Sequence, residues 1–405
     1  MNRSSIFKRK IDFQNSRGSF LVDKDTGEKY LDFFGQYATL SIGYNHPVFK
    51  SDQYLNEVNA VAHQKITNCE IISDESTEFD EKFRKFTSSG IFSHYHYACT
   101  GALAIEAAVK TAMDYKGAGH DRVITFKRSF HGINGYGGIY TDRFEPVNQR
   151  LKGFPGSQWK PFDNPVVEYA DGETVSDEDR VSKVLSEIEG VLKNEKNVCA
   201  ILAEPIQCTF GDRYYPDSFF IGVRHLASTY DIPLIFDEIQ VGFCGTGKLW
   251  YFEHTPIEPD ILVFGKKTQL SGIAVRKEFS TIFQNAIRLE VTWDADIMDM
   301  IRCKYIMQAY EDFNVFDNVD NMATLLKTGL DKIPGIINIR NAGLLFAFDF
   351  DEGSQRDRFL ASLIENKMLC NPTRDRTVRL RPNLLVTEDE INHGLSIMTS
   401  AVNTP

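Results

Sequence analysis

The sequence predicts an α/β protein, with a mainly parallel sheet in a large unit and a smaller α+β unit at the C-terminal end. Three observations predict it. VCAILAEPI and IPLIFDEI are short, nearly continuous β-branched and aliphatic runs, as strands buried on both faces require. The helical stretch SFFIGVRHLASTY lies between them, and strands joined by helices build a parallel sheet covered on both sides. After about residue 290 the alternation gives way to a long helix, DADIMDMIRCKYIMQAYEDF, and then to IRNAGLLFAFDF and TVRLRPNLLVT, which read as strands.

Taken in order, residues 1–50 form an N-terminal segment. In it GSFLVDKDTGEKYLDFF places apolar residues on both sides of an Asp25-Thr26-Gly27 turn, as a hairpin does, and Gly43 to Pro47 reads as a loop. Residues 51–290 make the large unit: ALAIEAAVKTAMDYK is a helix, DRVITF a short strand and EDRVSKVLSEIEGVLKNE an amphipathic helix. Residues 291–405 make the small unit. A chain of 405 residues is long enough for one large and one smaller domain.

Composition excludes several classes. A net charge of −11, from 45 basic and 56 acidic residues, disfavours a general binder of nucleic-acid backbone. The start MNRSSIFKRKIDF is basic but lacks the apolar run of about 7–15 residues of a secretory signal. No stretch of about 18 apolar residues indicates a membrane span. Seven cysteines, at 69, 99, 199, 208, 244, 303 and 370, form no C-x-x-C pair or metal-ligand spacing, which fits a reducing cytoplasm.

The sharpest chemical feature is PDILVFGKKTQLSG, where Lys266 and Lys267 follow a buried-strand run. An amine at the carboxyl edge of such a strand can form a Schiff base with a carbonyl cofactor, although most lysines after strands are simply solvated. In IFDEIQ, Asp237 supplies the anion that pyridoxal phosphate (PLP) needs against its ring nitrogen, and Gln240 can reach the ring oxygen. In CTGALAIEAAVK, Thr100, Gly101 and Ala102 open a helix, where small residues let a phosphate approach free N–H groups and the positive end of the dipole. RSFHGINGYG offers Phe130 and His131 as flat side chains for stacking on the ring.

In this order and spacing the four elements resemble the class III (ω-) aminotransferases of PLP fold type I, whose large domain carries a seven-stranded-type, mainly parallel sheet. The resemblance runs from GSFLVDKDTGEKYLDFF to VRLRPNL, and GKKTQ, GALAIEAAVK and VTW look most like the L-lysine 6-aminotransferases. It implies Lys266 as the Schiff-base lysine and proton shuttle, and Asp237 on the ring nitrogen. It further implies Gln240 on the ring oxygen, Phe130 or His131 on the ring face, and Thr100, Gly101 and Ala102 on the phosphate. Glu204 in AEPIQ matches a position that supports the site. Thr292 in VTW matches a threonine that reaches the phosphate from a neighbouring subunit, which implies a homodimer with shared sites. Arg379 in VRLRPNL matches the arginine that grips the keto-acid carboxylate, a task suited to bidentate guanidinium geometry. Arg381, on the same face by strand periodicity, assists it or is merely solvated.

Two substrate positions depart from the pattern. Lysine 6-aminotransferases read FHGRSGY, and that arginine binds the lysine carboxylate; here Ile133 stands in its place. They also read EPIQGEGGD, whose glutamate masks the keto-acid arginine; here the position is Thr209. Losing a charge-assisted carboxylate contact costs on the order of 1.5–3 kcal/mol, which disfavours L-lysine as donor unless another cation substitutes. Tyr37, Phe210 and Tyr136 suggest a less polar donor. The implied activity is transfer of a terminal amino group from an amine or amino acid to a keto acid such as 2-oxoglutarate. The alternatives are a PLP-dependent mutase, decarboxylase or epimerase on the same fold, and a non-catalytic relative.

Overall fold

Four consecutive parallel strands, Arg122–Ile124, Val198–Ala203, Leu234–Asp237 and Ile261–Phe264, form the centre of the fold, and every residue in them is buried. The computed structural model describes residues 7–68, 70–87, 90–142, 152–170 and 173–402; Cys69 lies outside them. Ser271–Val275 adds to the Ile261–Phe264 edge antiparallel, and His94–Ala98 pairs antiparallel with it in turn. The result is a mixed six-stranded sheet with an isolated parallel bridge between Phe126 and Phe162 at its edge. HYHYA and SGIAV were not read as strands from sequence: one is half polar, and the other carries a glycine.

The period-two alternation of the strands sorts their side chains between two layers. Leu234 and Phe236 join Ile201 and Ala203 in the larger core, beneath the helices Glu178–Asn194 and Asp217–Thr229. Ile235, Ile261, Val263 and Cys199 face the other way, onto Gly101–Lys116. The alanines of that helix, Ala104, Ala107, Ala108 and Ala112, are buried in this contact. Asp177 caps the Glu178–Asn194 helix by accepting the Arg180 N–H at 2.9 Å, which satisfies an N–H that the first turn leaves unpaired.

In the C-terminal region, IRNAGLLFAFDF is two strands rather than one. Ile337–Ala342 and Leu345–Asp349 pair antiparallel through a turn at Gly343, whose φ of 51° lies in the left-handed region. Thr377–Leu380 and Asn371–Thr373 complete this four-stranded sheet. The predicted N-terminal hairpin forms between Phe20–Val22 and Lys29–Asp32, and its second strand also pairs with Met368–Leu369. Glu390 in the last helix accepts the Ser19 hydroxyl at 2.8 Å. The two ends of the chain are therefore built into one another.

Register brings the chemistry to one edge. Phe236 pairs with Ala203 and Asp237 with Val263, so Glu204, Asp237 and the segment carrying Lys266 leave the sheet side by side. His94–Ala98 delivers Thr100 to the same end. A crevice beyond the carboxyl ends of parallel strands is where such sheets bind ligands.

Candidate active site

A cavity of about 520 Å³ lies at this edge. Thr100, Gly101, Ala102, Phe130, His131, Ile133, Glu204, Asp237, Gln240 and Lys266 all stand on its wall. Its size falls in the range of about 300–1,000 Å³ typical of small-molecule sites.

Lys266 occupies a left-handed backbone position, φ 57°, directly after the Ile261–Phe264 strand and Gly265. For a non-glycine residue such a conformation costs on the order of 1–3 kcal/mol, and it is retained where the surroundings over-determine it. The carbonyl of Lys266 accepts the Gln269 backbone N–H at 2.9 Å, and the Gln269 side-chain amide donates to the Thr39 carbonyl at 2.9 Å. Burial pushes the Lys266 amine down to about 8, although Cys208, Asp237 and Glu204 favour its charged form. The neutral amine is the nucleophilic form, and an ordinary lysine supplies little of it below about pH 10.4.

A pH prediction follows from that depression. The rate at which cofactor-free protein captures pyridoxal phosphate should rise through about pH 8 and level off above it, as followed by visible absorbance. A profile still climbing toward the ordinary lysine value would contradict the depressed amine. The stability sign is that of a lowered cation: folding carries the burial penalty in full below about pH 8 and loses it as pH rises toward about 10.4.

Lys267 has a different role, although it is the adjacent residue. It is buried, and its ammonium donates to the carbonyls of Gln240 at 2.7 Å and Gly242 at 3.2 Å. Burial and the neighbouring Lys266 charge push it down to about 7. It braces the loop that carries Gln240.

Asp237 ends its strand with one carboxylate oxygen on His131 Nδ1 at 2.8 Å and the other accepting the Ile239 N–H at 3.1 Å. The His131 side chain has no exposed surface, and its backbone N–H donates to Thr141 Oγ1 at 2.9 Å. His131 therefore stands behind the carboxylate and orients it, and the half-buried Phe130 is the flat side chain left beside the cavity. The Phe130 N–H donates to Glu204 at 2.8 Å. Burial, and next the nearby Asp237 charge, hold the Glu204 carboxyl well above the usual range.

Thr100 is the N-cap of the Gly101–Lys116 helix, and its side chain makes no capping hydrogen bond. The first N–H groups of such a helix have no partner within it, which leaves Gly101 and Ala102 able to bind an anion. A Cβ on Gly101 would lie 2.8 Å from Ile239 Cδ1, so the helix start packs closely on the side chain that follows Asp237 and Glu238. The amine, the carboxylate and the anion-binding helix start fit pyridoxal phosphate: Lys266 for its aldehyde, Asp237 for its ring nitrogen, and Thr100 to Ala102 for its phosphate. Thr39, Asn134 and Gln269 also line the cavity. Sequence reasoning did not assign them; the signal for Gln269 was the GKKTQ segment itself.

Seven residues singled out in the sequence lie off the cavity wall. Arg379 is buried, donates to the Cys208 carbonyl at 2.7 Å, and acts electrostatically on both Lys266 and Glu204. Thr209 is half-buried, and its hydroxyl has no hydrogen-bond partner among the described residues. Tyr37 is 52% exposed and rests edge-on against Phe34, and Thr292 is exposed. Arg381 is not solvated: it follows the strand's last residue, Leu380, and forms a buried ion pair with Asp212, while it also reaches the Gln240 side chain at 3.5 Å. Tyr136 stacks on Tyr140 against the alanine-rich helix layer. Phe210 lies between arginines rather than in an apolar donor pocket.

Among known proteins, the family model for aminotransferase class-III matches residues 3–402. The L-lysine-epsilon aminotransferase of Mycobacterium tuberculosis (strain ATCC 25618 / H37Rv) is 29% identical, over 97% of this chain and 91% of the relative. The 4-aminobutyrate aminotransferase of Schizosaccharomyces pombe is 28% identical, over 94% of this chain and 87% of its own. The solved structure of lysine aminotransferase from M. tuberculosis in the internal aldimine form superposes with a TM-score of 0.91 at 29% identity, covering 99% of this chain and 96% of that one. A lysine and a carboxylate facing one cavity at the sheet's carboxyl edge, in a chain matched almost end to end, identify it as a PLP-dependent enzyme of fold type I that belongs to the class III aminotransferase family.

Proposed function

We propose that the protein transfers a terminal amino group from an amine or amino acid other than L-lysine to a keto acid, with 2-oxoglutarate as acceptor. The observation that carries this reading is the placement of Lys266 and Asp237 on one cavity wall with the Arg379 guanidinium in electrostatic reach. Pyridoxal phosphate, when bound, supplies the electron sink. Asp237, oriented by His131, holds the proton on the ring nitrogen. Phe130 would cover the ring face and Gln240 would meet the ring oxygen. Lys266 Nζ, neutral in a large share of molecules near pH 8, takes the proton from the nitrogen-bearing carbon of the donor. Arg379 grips the acceptor carboxylate through its planar fork. Thr292, exposed in one chain, contacts the phosphate of a second copy in a homodimer. We place the enzyme in the cytoplasm: the six described cysteines are free, and no helix of the described residues is long and apolar enough to cross a membrane.

The test is a panel of diamines, ω-amino acids, ornithine and lysine, with keto-acid consumption measured against donor loss. One-for-one consumption of 2-oxoglutarate is expected. Donor conversion without it would mean a mutase, decarboxylase or epimerase, and efficient turnover of L-lysine would defeat the donor assignment. The acceptor side has its own prediction. Thr209→Glu places a carboxylate beside the Cys208 carbonyl that Arg379 already contacts, and ion pairing there competes with the acceptor. The KM for 2-oxoglutarate should rise by about 3- to 10-fold with the donor half-reaction little changed. An unchanged KM would place the acceptor elsewhere.

A further inference from the structure

The guanidinium groups of Arg128 and Arg374 lie 4.4 and 4.0 Å from the centre of the Phe210 ring. Neither has a carboxylate within ion-pair distance among the described residues. Behind them, Arg213 and Arg340 pack over Tyr169 and share Glu168 and Asp349, with the Arg340 to Asp349 contact at 3.1 Å. Among the described residues the inner arginines thus form ion pairs and the outer two form none, with Asp349 and Glu168 acting on Arg374 only at longer range. The repulsion is felt: burial, and then the Arg213 and Arg128 charges, push the Arg374 guanidinium down to about 10. In a chain of net charge −11, two guanidinium groups on one ring with no ion pair of their own among the described residues mark a place for an anion.

Both outer arginines are held in left-handed backbone, φ 64° and 51°. The Arg128 N–H is fixed on the Asp142 carboxylate at 3.0 Å. Their place in the fold ties them to the active site. The Lys127 carbonyl accepts the Gln207 side-chain amide at 2.9 Å, in the segment whose next residue, Cys208, receives Arg379. Arg374 sits at the tip of the hairpin that pairs Asn371 with Arg379 and Thr373 with Thr377, roughly 10 Å outward along the strand from the acceptor arginine. A guanidinium laid flat on a ring keeps its N–H edge free, and that edge matches the oxygens of a carboxylate or phosphoryl group. Ile133, on the cavity wall, offers no charge for such a group.

We propose that Arg128 and Arg374, seated on Phe210, form an outer oxyanion subsite that takes a carboxylate or phosphoryl group at the end of the donor remote from its amine. This rests on the aminotransferase reading above and specifies its donor: an ω-amino compound long enough to place its nitrogen at Lys266 and its anion outside the cavity.

The test uses the holoenzyme and matched donors, 6-aminohexanoate, 5-aminopentylphosphonate and hexylamine, in half-reactions followed by the cofactor's visible absorbance. The wild type should prefer one or both anionic donors. Arg128→Gln and Arg374→Gln should each lower kcat/KM for that donor about 10-fold through KM and leave hexylamine unchanged, and the double variant should lose the preference. Rising ionic strength should weaken the anionic donor alone. Equal losses for hexylamine and the anionic donors would make the cluster merely structural and overturn the proposal, as would a wild type indifferent to the anion. Binding of non-reacting hexanoate, measured calorimetrically in wild type and double variant, reads the subsite without turnover. Anion binding that is lost in the double variant supports the subsite even if no keto acid is consumed, and binding unaffected by the two substitutions overturns it.

Discussion

Lys266→Ala should abolish turnover and remove the band near about 400–430 nm that marks cofactor held by a lysine. Two functions are lost together. On the proposed reading, the amine that holds the cofactor would be gone, and so would the base that moves the substrate proton, a role worth about 10²- to 10⁴-fold by itself. Lys267→Ala is the matched control. It removes a donor from the Gln240 and Gly242 carbonyls, which should cost about 1–3 kcal/mol of stability while the visible band persists. The spectra and single-turnover rates of the two purified variants decide the matter. A retained band and measurable turnover in Lys266→Ala would remove the basis for every role assigned around the cavity.

The second large effect is at Asp237. Asp237→Asn keeps a hydrogen-bonding side chain for His131 but removes the negative charge, and kcat should fall by about 10²- to 10³-fold, the range seen when one preorganised electrostatic contact is lost. Asp237→Ala should fall at least as far and also unfold more readily. It leaves His131 Nδ1 without its 2.8 Å partner, in a ring whose Nε2 already has none among the described residues. An unsatisfied buried polar atom costs about 1–3 kcal/mol. Comparing kcat and Tm across the pair separates charge from packing: loss of stability without loss of kcat would mean that the carboxylate is a structural cap and not part of the chemistry.

Much of this was legible in the residues. Strands such as VCAILA and LIFD are apolar on successive positions because both faces are covered, and their type and order followed from that. The helix Gly101–Lys116 and the N-terminal hairpin were likewise visible in local pattern and turn chemistry. Other elements were not. Nothing local in Met368–Leu369 says that it will pair with Lys29–Asp32, because pairing across hundreds of residues leaves no period in the sequence. The turn at Gly343 was hidden because the apolar runs on its two sides read as one strand.

Chain order and residue chemistry were enough to bring an amine, an acid and a small-residue helix start to one sheet edge, since parallel strands must all end on the same side. By themselves they did not discriminate between neighbours, although the family resemblance had pointed to Lys266 and Arg379. Lys266 opens to the cavity while Lys267 is spent on loop carbonyls, and Arg379 reaches the Cys208 carbonyl while Arg381 is consumed by Asp212. His131 backs Asp237, and Phe130 is left beside the cavity. Those assignments depend on which side chain finds a buried partner, and the partners come from segments far apart in sequence that meet only when the sheet and its flanking hairpins pack.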